Sequence, residues 1–60
     1  MKRVEVTYKD LKAGIDNFFC YGWAIDKQNS LLRIYNEKQI CTAFVRLTEI
    51  RKVHIFEVEE

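Results

Sequence analysis

Between Asn17 and Asp26 the chain reads NFFCYGWAID, and this stretch limits the fold more than any other. It holds four aromatic side chains, half of those in the chain, with almost no polar residue between its ends. An extended strand sends alternate side chains to opposite faces. Phe19, Tyr21, Trp23 and Ile25 then share one face, and Phe18, Cys20, Gly22 and Ala24 share the other. Both faces are apolar, so a sheet containing this strand needs cover on both sides. A chain of 60 residues has little to spare for that, since a domain of this size buries only about 60% of the surface its extended chain exposes. Either the strand bends until both faces reach one core, or a second molecule covers the surplus face.

The remaining sequence supplies more strands. RVEVTYK alternates, with Val4, Val6 and Tyr8 against Arg3, Glu5 and Thr7, as a half-buried first strand does. DLKAGIDN breaks the alternation, and Asp10 there caps at most one helical turn before Gly14. DKQNS and NEKQ read as tight polar turns on either side of LLRIYN, in which Leu32 and Ile34 oppose Leu31, Arg33 and Tyr35. ICTAFVRL separates Cys41, Ala43, Val45 and Leu47 from Ile40, Thr42, Phe44 and Arg46. TEI is long enough for one 3₁₀ turn, and KVHIFEV forms the last strand. No proline interrupts any of these runs.

Five short strands with three hairpin-like links predict one all-β domain over residues 1–60, a five-stranded small barrel with one short helical turn before the last strand. Closure removes the two sheet edges that an open meander exposes. The expected core comprises Val4, Val6, Leu11, Ile15, Ile25, Leu32, Ile34, Val45, Leu47, Ile50, Val53 and Ile55, drawn from one face of each strand. The ending RLTEIRKVHI resembles the way SH3-like and Sm-like barrels connect their fourth and fifth strands.

Two further stretches resemble Sm-like proteins. GWAIDKQNSLLRI is similar to the first Sm motif, with Gly22, Asp26 and Asn29 at the matching positions. FVRLTEIRKVHI is similar to the second, with Arg46 as the arginine that ends the fourth strand. The chain departs from the pattern in four ways: the family's long N-terminal helix is missing, and three departures fall in the motifs. Asn29 lies one residue closer to Asp26 than in the family, no aromatic stands between them, and Leu47 replaces the glycine after the arginine. In Sm proteins the loop aromatic and asparagine, with that arginine, hold an RNA base in a ring pore. The resemblance therefore implies the fold, and an RNA pocket without its stacking residue.

Charge and chemistry narrow the function. Ten basic and nine acidic residues leave a net charge of +1, which gives no global drive toward nucleic acid or anionic lipid. The local cluster of Arg46, Arg51 and Lys52 near His54 is followed at once by Glu57, Glu59 and Glu60. No apolar run approaches the ~20 residues of a membrane-spanning helix, so no membrane is expected. MKRVEVTYKD has no apolar segment after its charges, which predicts no signal peptide and a cytoplasmic protein.

Cys20 and Cys41 form no C-x-x-C pair and there is one histidine, too few ligands for structural zinc. Both cysteines are expected to be buried free thiols. His54 with Cys20 or Cys41 and Glu49 or Glu57 has no spacing that suggests a catalytic set, and Gly14 and Gly22 stand alone rather than in a phosphate loop. Neither an enzyme nor a cofactor is expected.

What remains is binding. The surplus aromatics predict a non-catalytic protein that self-associates into a homo-oligomer and binds a protein partner, as an accessory or inhibitory chain. Trp23, Tyr35, Phe44 and Phe56 are the expected interface residues. The alternative is an Sm-like binder of single-stranded RNA, in which Tyr35 and Phe44 stack bases beside Arg33, Arg46, Arg51 and Lys52. A third class binds a nucleotide or other small molecule in an oligomeric ring.

Overall fold

The computed structural model describes residues 1–59. Its six strands are β1 (Lys2–Tyr8), β2 (Ile15–Cys20), β3 (Gly22–Asp26), β4 (Leu31–Tyr35), β5 (Cys41–Arg46) and β6 (Ile50–Glu57), with a 3₁₀ turn over Leu47–Glu49. They form two three-stranded antiparallel sheets, ordered β2-β1-β6 and β3-β4-β5. The domain is all-β, and the short helical turn stands directly before the last strand, as the sequence predicts.

The closed five-stranded barrel is not what forms. The expected second strand is divided at Tyr21, and among the described residues no ladder joins one sheet to the other. The backbone around the 3₁₀ turn bonds elsewhere. Leu47 N–H donates to Ser30 O at 2.9 Å, and Lys9 N–H donates to Glu49 O at 2.9 Å. Those bonds tie the turn to two loops and leave β5 and β6 without a shared ladder.

The register answers the question raised by NFFCYGWAID. In the first sheet, buried Val4 faces Phe18 and buried Val6 faces Asp16, so even-numbered residues of β2 point inward. In the second sheet, buried Ile34 faces Trp23 and buried Leu32 faces Ile25, so odd-numbered residues of β3 point inward. The inward set changes parity at Tyr21. There the Tyr21 N–H donates to Tyr35 O at 3.0 Å while Gly22 is the ladder partner of Tyr35. Two residues thus oppose one, which is the arrangement of a β-bulge and bends the strand. On β2 the inward class reaches the core through Phe18 and Cys20, whereas on β3 the inward-side Trp23 and Ile25 stay 40% and 42% exposed, outside the core cluster.

The core is small. Val4, Val6, Leu32 and Ile34 are fully buried with Cys20 and Val45, and half-buried Phe18, Leu47, Ile50, Val53 and Ile55 pack against them. Three expected core residues lie outside it. Leu11 is 84% exposed, in a turn where Asp10 Oδ1 accepts the Lys12 N–H at 2.9 Å and no side chain is directed inward. Ile15 pairs with Thr7 on the outward side of the first sheet. Ile25 is on the inward side of β3 but remains 42% exposed, on an edge strand that pairs with β4 alone among the described residues. Cys41 is exposed as well, since a register shift between Ile34 and Tyr35 sets it opposite outward-facing Tyr35.

Candidate binding surfaces

Three surfaces carry the residues singled out by the sequence. On the outer face of the β3-β4-β5 sheet, Ala24, Arg33 and Phe44 form one cross-strand row and Asp26, Leu31 and Arg46 the next. Phe44 is 62% exposed on this face, on the edge strand β5. Tyr35 lies half-buried on the same side. Arg33 is not free to seek a phosphate, because its Nε and Nη2 donate to Asp26 Oδ2 at 3.2 and 2.9 Å. Asn29 donates to the same carboxylate through its backbone N–H at 3.1 Å and its carboxamide at 2.9 Å. These bonds hold the Asp26 carboxyl down at about 2, the Asn29 carboxamide contributing most and Arg33 next. The Arg33 guanidinium is pushed up in return, first by its bond to Asp26. Asn29, the residue matching the Sm loop asparagine, is thus occupied by its own loop.

The outer face of the β2-β1-β6 sheet has a different character. Phe19, Arg3 and Phe56 form a cross-strand row. The Arg3 guanidinium carbon lies 4.3 Å from the Phe56 ring centroid, a cation–π contact, and the His54 ring meets Phe56 edge-on at 5.1 Å. Phe19 is 61% exposed at the end of the row. Neither Arg3 nor Phe19 is legible as a site residue in the sequence, where Arg3 reads as the polar side of an alternating strand. Lys52 is on this face, opposite Thr7, and exposed Arg51 falls in the β1–β6 register shift beside it.

The structure therefore divides the expected residues. Tyr35, Phe44, Arg33 and Arg46 share the outer face of the second sheet, whereas Phe56 and Lys52 lie on the outer face of the first. Trp23 belongs to neither. It lines an open groove of about 430 Å³ together with Tyr21, Gly22, Tyr35, Asn36, Glu37 and Gln39. The Asn36 carboxamide fixes the rim by accepting the Lys38 and Ile40 N–H groups at 2.9 and 3.0 Å.

A second hollow, of about 510 Å³, lies between Tyr8, Lys9, Asp10, Ala13, Asp16, Thr48 and Glu49. There Tyr8 Oη donates to Asp16 Oδ2 at 2.8 Å. Burial, and then this bond, push the phenol up to about 12. His54 faces outward opposite Glu5, while Cys20 is buried on the inward face of the same sheet, so those two side chains lie on opposite sides of it. No group of three or more metal-ligating side chains is assembled among the described residues. Compared with known proteins, the chain matches no family model, no curated protein and no solved structure.

Proposed function

We propose that the chain is a non-catalytic binding protein that self-associates and takes up a protein partner. The observation that carries this is the 62% exposure of Phe44 on the outer face of the edge strand β5, beside Tyr35 and Leu31, in a chain whose described residues supply only six buried apolar side chains to the core. Burying one phenylalanine gains about 1.5–3 kcal/mol. Association costs an estimated 4–15 kcal/mol or more in lost motion. One ring from each copy is therefore not enough. The interface needs several large side chains per copy, and Phe44, Tyr35 and Leu31 supply them on one face.

The two sheets are read as an opened SH3-like or Sm-like barrel, in which β2 and β3 are halves of one strand bent at Tyr21. The connection through Tyr21 and the 3₁₀ turn before β6 support that reading. The RNA alternative would use the same face, because Phe44 pairs across the ladder with Arg33 and stands two residues from Arg46. The engagement of Arg33 by Asp26 favours the protein reading. Sedimentation of the wild-type chain over a range of concentrations tests it. A mass that rises with concentration and falls back to monomer in Phe44→Asp supports self-association, and a constant monomer mass contradicts it.

A further inference from the structure

The groove beside the Tyr21 bulge combines three aromatic side chains with one carboxylate, and among the described residues no basic one lines it. Tyr21, Trp23 and Tyr35 line it, Glu37 supplies the charge, and Asn36 and Gln39 supply carboxamides. Lys38, between Glu37 and Gln39 in sequence, is not among the lining residues. The fold brings these groups together for a definite reason. The bulge sets Tyr21 and Gly22 opposite Tyr35 alone, so three aromatics gather at one end of the second sheet. Asn36 then pins the turn that carries Glu37.

Gly22 leaves bare backbone in the lining of the groove. A Cβ at that position would meet the Tyr35 Cβ at 3.8 Å. An aromatic face presents negative charge to whatever lies over it, and such faces attract an alkylammonium group. A carboxylate at the rim adds to the attraction, repels anions and gives nothing to a neutral apolar guest. The other hollow lacks this composition, since Lys9 lines it and its single aromatic, Tyr8, is bonded to Asp16.

We infer that this groove takes the ammonium group of a lysine-type side chain carried on an extended segment of the protein partner. This rests on the partner-binding reading above and adds the chemistry of the partner to it. Charge complementarity selects the cation, and the free edge of β3 selects the extended segment. Among the described residues β3 pairs only with β4, so its other edge offers backbone donors and acceptors to an added strand. A strand paired there presents alternate side chains at the level of Trp23 and Gly22.

Trp23 is the only tryptophan of the chain, so its emission reports on the groove. The test titrates the full chain at constant ionic strength with choline and with its neutral isostere 3,3-dimethylbutan-1-ol, reading Trp23 emission and backbone amide shifts. Choline is expected to saturate, to shift the amides of Gly22 and Glu37, and to bind roughly tenfold more tightly than the alcohol. Glu37→Gln should weaken choline several-fold, and Glu37→Lys should abolish it with an unchanged far-ultraviolet spectrum. A short alanine peptide with one central lysine should compete with choline, and the norleucine version should not.

Equal affinity for choline and the alcohol, or no effect of either Glu37 substitution, overturns the cation site. Choline binding without competition by the lysine peptide overturns the peptide source. Sedimentation of the same samples keeps the two claims apart. Concentration-dependent mass without choline binding removes the groove and leaves self-association standing.

Discussion

The Tyr21 N–H and the Tyr35 carbonyl oxygen lie 3.0 Å apart, and Tyr35 is also the residue that Gly22 faces across the ladder. This one contact lets a single apolar stretch feed two sheets with opposite parity. It also brings Tyr21, Trp23 and Tyr35 to one groove.

Removing that donor should therefore damage the junction between the sheets. Tyr21→Pro deletes the N–H and leaves the Tyr35 carbonyl without this partner. The loss is expected to be about 1–3 kcal/mol, read as a lower urea midpoint than that of Tyr21→Ala. Equal midpoints for the two variants would show that the bond contributes nothing.

Two leucines separate core from surface. Leu32 is fully buried and Leu11 is 84% exposed. Leu32→Ala should cost about 2–5 kcal/mol, enough to unfold a marginal domain of this size at room temperature. Leu11→Ala should stay within about 0.5 kcal/mol of wild type. Circular dichroism during urea titration of both variants checks the contrast.

Much of this was readable from alternation alone. β1, β4 and β5 present Val4, Val6, Leu32, Ile34 and Val45 inward, as the period of two requires. The short turn before β6 was readable too, because three residues between two strand-like runs leave room for little else. Parity inside NFFCYGWAID was not. Which residue forms the bulge depends on Tyr35, fourteen positions further along, and alternation within the stretch carries no trace of its partner. The exposure of Cys41 was hidden for the same reason, because it follows from a register shift against β4. The Phe19–Arg3–Phe56 row needs the pairing of three strands before it exists at all.

Cys20 is buried and Cys41 exposed, both as free thiols. Iodoacetamide should modify one thiol in the native protein and the second only after denaturation. Peptide mapping should place the fast site at Cys41. Two equally fast sites, or none, would contradict the placement of these side chains.

Stability should change at both ends of the pH scale. The Asp26 carboxyl is held down at about 2 from an ordinary 3.8 by Asn29 and then Arg33. A lowered carboxyl stabilises the fold above its unfolded value, and that contribution is lost as pH falls through about 2. Glu57, lowered by its hydrogen bond and ion pair with Lys2, acts in the same direction. Tyr8 is raised from 10.0 to about 12 by burial and by its bond to Asp16. Its contribution is complete below pH 10 and is lost as pH rises toward 12. Urea midpoints measured across pH should fall on both limbs, and Asp26→Asn should flatten the acid one.

In the proposed function a second copy of the chain covers the outer face carrying Phe44. Sedimentation velocity from low to high micromolar protein, on wild type and Phe44→Asp side by side, tests it most directly. Self-association predicts a wild-type mass that climbs above one chain with concentration, while Phe44→Asp stays monomeric with an unchanged circular dichroism spectrum. A wild-type chain that remains a monomer throughout, or a Phe44→Asp variant that associates as well as wild type, would contradict it.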